Sequence, residues 1–452
     1  MAKPEPFTFS REIPVREEAD VLVAGGGPAG VTAAVAAARA GASVLLVEAH
    51  TCLGGMGTAG LVPMFCMFSD GVNFLAGGLG REIYDLCWKH GSVAPDDHVW
   101  ADKKRHSISI RAEILKRIYD RLVTGSGARL LLGTQVIAAE TDGDRVALTV
   151  CAAKSGLFAV RARIFVDATG DGDFAARAGA HFEKGDPDGR LQPGTLCSLW
   201  AGIDWDTARA HGSGDGWPKG QRRALDRAIA DGVFSVPDPH LPGIWRCGET
   251  VGGGNIGHTF GVDGTDERSL TEALVHGWAT MLEYERYYKD YLKGFERMEL
   301  VATGALLGIR ETRRIAGDYC LSLDDFQARA VFDDEIGRYN YPVDIHASTA
   351  DDPVDAESMM RSYRCADGES YGIPYRSLVV KGLANLLVAG RCVSADRYVQ
   401  GSLRVMPGCF ITGQAAGVAA ALAARAEGAT REVRIADLKD RLLAMGAYLP
   451  NA

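Results

Sequence analysis

Residues Val21 to His50, VLVAGGGPAGVTAAVAAARAGASVLLVEAH, set glycines and a proline between two apolar runs and bring an acidic side chain to the end of the second. Val21 to Ala24 is aliphatic and strand-like, Pro28 to Ala40 is alanine-rich and helix-favouring, and Ser43 to Val47 is apolar again, so the stretch predicts a strand–helix–strand unit. Gly25, Gly27 and Gly30 form G-x-G-x-x-G at the first junction. There the first glycine permits a tight turn, the second lets backbone approach a diphosphate, and the third lets helix and strand pack closely. Pro28 and Ala29 open the helix, whose N-terminus presents free N–H groups to an anion. Glu48 stands where a carboxylate accepts hydrogen bonds from an adenosine ribose. A 2'-phosphate would be repelled there, which disfavours NADP and leaves NAD and FAD.

After Glu48 the chain continues AHTCLGGMGTAG, too rich in glycine for a regular element. An NAD dehydrogenase would go on into further strand–helix repeats. A loop running along a longer cofactor fits better, with the backbone of Ala49, Gly54, Gly55, Met56 and Thr58 meeting the diphosphate and ribityl chain; the plain alternative is an exposed surface loop.

The rest of the composition narrows the field. With 47% hydrophobic and 24% charged residues and a formal net charge of -9 over 452 residues, this is an ordinary globular chain with material for a large core. Its basic clusters, such as DKKRH from Asp102 to His106, are short and offset by acidic neighbours, which argues against a nucleic-acid partner. The N-terminal MAKPEPFTFSREIPVREEAD is charged and lacks the apolar centre of a secretory leader, so a cytoplasmic location is expected. No membrane span is expected: the best apolar candidate, Ala33 to Val47, carries Arg39 and runs into Glu48. The ten cysteines include no C-x-x-C pair and the ten histidines no H-E-x-x-H, so neither a dithiol centre nor a bound metal is expected.

Four blocks carry a family resemblance: GGGPAG with Glu48 and CLGGMGTAG; FVDATGDGDFA from Phe165 to Ala175; GIRETRRIAGDYCL from Gly308 to Leu321; and YGIPYRSL through NLLVAGRCVSADRYVQGSLRVMPGCFITGQAAGVAAAL. Together they resemble the FAD-dependent oxidoreductases of the glutathione-reductase-like superfamily, most of all its bacterial FAD-dependent oxidoreductase subgroup. The resemblance implies an α/β fold: a Rossmann-like FAD-binding domain of glutathione-reductase type with a β-meander, plus an inserted α+β substrate or cap domain. The meander would be ARLLLGTQVIAAE, DRVALTVCA and FAVRARIFVDATG. It further implies that backbone at Val136 holds the adenine and that Ala168, Thr169 and Gly170 turn beside the adenosine phosphates. Arg391, Arg404, Tyr375 and Arg376 would face the flavin or the cap. The helix opened by Pro407 would aim the amides of Gly408 and Cys409 at the flavin N1/O2 edge, where reduced flavin carries negative charge.

On this reading the cofactor domain is discontinuous, residues 15–185 and 372–452, with 186–371 inserted as substrate or cap domain. The insert predicts one clear helix over Ser269 to Lys293 and a strand pair near Thr303 to Leu323. Its glycine cluster VGGGNIGH, Val251 to His258, is not followed by a helix and a terminal acid, and reads as a loop near the active site. No second dinucleotide fingerprint is present, which favours electrons arriving from a small organic substrate and leaving to oxygen, a quinone or a carrier protein. His258 and His346 are the candidate catalytic bases, each with a structural role as the alternative. Arg310 is the candidate clamp for a substrate carboxylate, with an ion pair to Glu311 as its alternative. The expected activity is FAD-dependent oxidation of a small polar metabolite at C–OH or C–NH. A reductase or electron-transfer subunit, and a non-catalytic nucleotide-binding regulator, are the rivals. Homo-oligomer formation is left open.

Overall fold

In the computed structural model, residues 7–94, 103–216, 219–351, 356–426 and 428–452 are described. Residues 1–6 of the N-terminal stretch and Asp102 of the basic cluster lie outside them.

The strand Val15–Ala24 sits in the middle of a seven-stranded sheet. It pairs in parallel with Val44–Val47 on one side, matching Val21 with Val44, and with Gly156–Asp167 on the other, matching Val21 with Ile164. Arg129–Leu131 extends the first side, and Leu386–Val388 pairs in parallel with the end of Gly156–Asp167. Val21–Ala24 and Val44–Val47 are buried throughout, without alternation, as strands of a parallel sheet covered on both faces should be. Thr134–Asp142, Arg145–Ala153 and the first half of Gly156–Asp167 form the expected antiparallel meander. One long strand thus serves both the meander and the parallel sheet. The predicted strand from Ala128 breaks at Leu132 and Gly133, so its first part joins the parallel sheet and its second the meander.

The helix Pro28–Arg39 follows the glycine turn, and Met406–Arg425 lies against it. A Cβ placed on Gly413 would come within 2.8 Å of the Ala29 carbonyl carbon, and one on Gly417 within 2.9 Å of Ala33 Cα. Only glycine lets these helix backbones approach so closely. Val405 to Ala424 carries no charged side chain, so the best apolar candidate is this run and not Ala33 to Val47. Met406–Arg425 is long and apolar enough to cross a membrane by composition, but 94% of its most apolar window is buried inside the protein. Its all-round apolarity is that of a central core helix.

A second, antiparallel sheet runs Gly243–Arg246, Gly252–Asn255, Ser198–Ala201, Glu299–Thr303. The helix Glu267–Tyr291 begins where the Asp266 carboxylate accepts from the backbone of Ser269 (2.8 Å) and Arg268 (3.1 Å). Trp200, Trp205, Tyr287, Tyr288, Phe295 and Met298 form a core of their own around these elements. Ile315, Phe326, Ile336, Tyr339, Val343 and Ile345 belong instead to the larger core of the seven-stranded sheet.

Two local expectations are corrected. Glu299–Thr303 and Arg313–Ile315 do not pair with each other: the first joins Ser198–Ala201 and the second Phe182–Lys184, each with a partner about a hundred residues or more earlier in the chain. The glycine cluster is a strand over Gly252–Asn255, because Ile203, Ile244, Pro63 and Ser198 press on positions where only a hydrogen fits. It delivers His258 to the cavity three residues later. The loop after Glu48 likewise contains a short 3-10 turn, Gly55–Gly57, with Leu53 fully buried beside it.

Candidate active site

The glycine turn folds as its spacing requires. Gly25 has φ +96°, and a Cβ there would lie 2.7 Å from the Ala168 carbonyl carbon; one on Gly30 would lie 2.9 Å from the carbonyl carbon of Gly25. At Gly27 a Cβ would meet nothing within 4 Å. Two glycines are therefore demanded by the chain itself, and the third by what the turn faces. Gly27 caps the helix, its carbonyl accepting from the Val31 amide at 2.9 Å. Glu48 is buried and accepts from the amides of Gly26 (2.5 Å) and His50 (2.8 Å), fixing its carboxylate at the mouth of the turn.

Gly25, Gly27 and Glu48 line one cavity of about 1510 Å³. Of the expected cofactor residues, Gly25, Gly27, Pro28, Ala29, Glu48, Ala49, Gly55, Met56, Val136, Ala168, Thr169, Gly170, Arg391 and Cys409 all line it. Gly30, Gly54, Thr58 and Gly408 do not, and their roles are internal. Gly30 and Gly408 are close-packing positions, the latter against Leu403 and Tyr339. Gly54 donates to Gly26, and the Thr58 hydroxyl donates to the Leu53 carbonyl at 2.6 Å. One expectation is corrected at the last helix: the Cys409 amide already donates to the Val405 carbonyl at 3.0 Å, so of the two amides only that of Gly408 falls in the unpaired first turn. Arg391 is a brace, donating to Gly170 O (3.0 Å), Ile309 O (2.5 Å) and the Asp171 carboxylate (2.6 Å). Thr169 is held by Asp167, a buried carboxylate not singled out from the sequence, which accepts from its amide and hydroxyl and from the Ala175 amide.

The same cavity reaches a second set of side chains. His258 Nε2 and His346 Nδ1 lie 2.9 Å apart, and His240 completes a trio in which one ring nitrogen from each lies within 4.8 Å of the others. Asp238 Oδ2 is 2.9 Å from His258 Nδ1, and Asp344 Oδ1 is 3.0 Å from His346 Nε2. His258 and His346, the two expected bases, are therefore brought together 88 residues apart in sequence. Burial, reinforced by Arg310, holds His346 well below its ordinary pKa; burial also lowers His258, with Asp238 pulling the other way. Burial and His258 bring His240 down to about 3. Burial pushes Asp344 up, but His346, Arg404 and Arg310 outweigh it and hold the carboxyl well below the usual range. The cluster thus sets buried imidazoles against carboxylates at hydrogen-bonding distance.

Arg310 is buried, with Nη1 donating to Pro193 O (2.8 Å) and the Thr195 hydroxyl (2.9 Å). Its expected alternative partner, Glu311, pairs with Arg397 at 2.9 Å, and among the described residues no carboxylate lies within ion-pair distance of Arg310. Burial and the neighbouring Arg404 lower its pKa to about 10. Arg404 itself holds Asp344 at 3.0 Å. Asp238, His240 and Asp344 escaped sequence reasoning, whereas Arg404, expected to face the flavin or the cap, lines the cavity. The repeated D-x-H of Asp238–His240 and Asp344–His346 was the available signal.

A family model described as FAD dependent oxidoreductase matches residues 20–442. The chain belongs to this family. FAD is accordingly the cofactor of this flavoenzyme, and its residues fit the group: an open cradle at Gly27, a fixed carboxylate at Glu48, and a cavity above the ~300–1,000 Å³ of an ordinary ligand cleft. No curated protein matches the chain. Among solved structures, p-nitrophenol 4-monooxygenase PnpA from Pseudomonas putida DLL-E4 superposes with a TM-score of 0.51 at 12% identity, covering 96% of this chain and 91% of that one. A triple mutant of the flavin-dependent brominase Bmp2 gives 0.47 at 13% identity, covering 94% and 83%. A geranylgeranyl bacteriochlorophyll reductase-like protein from Thermoplasma acidophilum gives 0.41 at 12%, covering 95% and 82%. At such identity the likeness to PnpA concerns the fold alone.

Proposed function

We propose that the enzyme oxidises a small polar metabolite at a C–OH or C–NH centre, the hydride passing to flavin N5 and the proton to the His258–His346 pair. One observation carries this reading: the dinucleotide groove and the His–Asp–Arg cluster are walls of a single cavity. When bound, FAD supplies a two-electron hydride acceptor. The chain supplies the rest. Burial weakens each imidazole as a base, and the carboxylate beside each ring would offset that by steadying the charge of the protonated form. Arg310, a buried cation without a carboxylate partner among the described residues, would hold an anionic oxygen of the substrate. The meander and the glycine turn support a cofactor domain of glutathione-reductase type, and the sheet around Ser198–Ala201 supports a substrate-side cap. Electrons would then leave to oxygen, a quinone or a carrier protein.

The test is an anaerobic screen of hydroxy acids, amino acids, amines and sugars for bleaching of the flavin band near ~450 nm. A bleaching metabolite should be found, and His346→Asn should slow its reductive step by ~10²–10⁴-fold while flavin content holds. Bleaching by NADH alone, with every metabolite inert, would overturn the reading in favour of a reductase.

A further inference from the structure

The histidine trio has an unresolved charge at its centre. Asp238 occupies the Nδ1 side of His258 and Asp344 the Nε2 side of His346, at 2.9 and 3.0 Å. A carboxylate draws the ring proton to the side it occupies. Both remaining nitrogens, His258 Nε2 and His346 Nδ1, then present lone pairs to each other at 2.9 Å, and two such rings cannot hydrogen-bond. A shared proton fits between them at the present 2.9 Å, and a metal ion would fit once they part to ~3.3 Å. His240 stands as a third donor, its ring 4.7 Å from that of His258 and 5.0 Å from that of His346, centre to centre.

We infer that His240, His258 and His346 form a site for a divalent transition metal ion, with Asp238 and Asp344 as the carboxylates that orient two of the rings. Three imidazoles suit zinc and its neighbours, and a carboxylate behind a ligating histidine is the usual support. Ligand nitrogens around a tetrahedral ion stand ~3.3 Å apart, given metal–nitrogen bonds of ~2.0–2.1 Å. The present spread of up to 4.8 Å closes by a shift of His240, which sits on the connection leading into the strand Gly243–Arg246, while His258 Nε2 and His346 Nδ1 would part slightly from 2.9 Å. His258 Nδ1, Asp238 Oδ2 and Asp344 Oδ1 are buried with no well-directed hydrogen bond. A small turn of each ring would align its N–H with the carboxylate and its lone pair with the common centre. All three histidines line the cavity, so the remaining coordination position opens to it. Asp238 and Asp344 are offset by Arg310 and Arg404, so a divalent ion adds positive charge that an anionic oxygen ligand, carboxylate or alkoxide, would neutralise. In the metal-loaded enzyme the two imidazoles would be ligands and no longer the proton acceptor, so the proton of a metal-bound substrate O–H or N–H would pass to solvent water reaching the cavity. The site's existence does not depend on the oxidation proposed above; only that role does.

The test is zinc binding to chelator-treated holoenzyme, read by equilibrium dialysis and by X-ray absorption at the zinc edge. One zinc per chain with a nitrogen shell at ~2.0–2.1 Å is expected. Asp238→Asn should weaken binding ~10–100-fold. His240→Ala and His346→Ala should weaken it further, and His240→Gln serves as second variant should the alanine lose its flavin. Substoichiometric zinc, or zinc whose affinity and shell are untouched in the His240 and His346 variants, would overturn the site. Substrate bleaching of the metal-free enzyme is read separately, so either proposal can fail alone.

Discussion

Gly413→Ala turns the helix contact into a measurement whose sign is diagnostic. Alanine is worth ~1 kcal/mol over glycine inside a helix, so on propensity alone the change would stabilise Met406–Arg425. The new methyl would lie 2.8 Å from the Ala29 carbonyl carbon, nearer still to its oxygen, and against the Thr32 hydroxyl. Comfortable carbon–carbon contact is ~3.5–4.0 Å, so the two helices must part by roughly an ångström. Overpacking of this kind costs ~1–3 kcal/mol. The obstructing atoms are backbone, which cannot swing aside, so the upper part of that range applies and the net effect is a loss of about 1–2 kcal/mol. Because Ala29 lies in the first turn of the cofactor helix, FAD affinity should fall as well. Gly125 ends the helix Ala112–Gly125 with open space around it, so Gly125→Ala should be neutral or mildly stabilising. Urea melts of the flavin-free forms, with FAD titration by fluorescence quenching, read both effects. A Gly413→Ala protein as stable as Gly125→Ala, with unchanged FAD affinity, would refute the close-packing argument.

Gly27→Ala should separate folding from cofactor binding. Its φ of -68° suits any residue and its Cβ meets no protein atom, so the flavin-free melt should be unchanged while FAD affinity drops ~100-fold, about 2.8 kcal/mol. Arg310→Met should raise KM for an anionic substrate ~10–100-fold, the ~1.5–3 kcal/mol of a hydrogen bond to a charged group, and leave a neutral analogue nearly unaffected; steady-state kinetics on the pair decide. Glu311→Ala should destabilise the fold by ~3–5 kcal/mol in a urea melt, because the fully buried carboxylate holds Arg397 at 2.9 Å and the Gln192 amide at 2.7 Å, and its loss strands the cation.

What the sequence disclosed and what it hid divide along contact range. The turn at Gly25 to Gly30, the helix behind it and Glu48 are local: the twenty-four residues from Gly25 to Glu48 hold the whole pattern, and each glycine's reason was readable from spacing. The strand Gly252–Asn255 was misread because its glycines answer to Pro63, Ser198 and Ile244, atoms far off in the chain, and not to any turn of its own. The same holds more strongly for the histidines. His240, His258 and His346 share neither a helix face nor a strand, so no periodicity links them. They converge because the strand Gly252–Asn255 ends beside the connection that carries His240, while the chain after Glu335–Tyr339 brings His346 in from the larger core. A cluster assembled from both cores has its chemistry at their junction, and that places it over the one cavity where the cofactor groove ends.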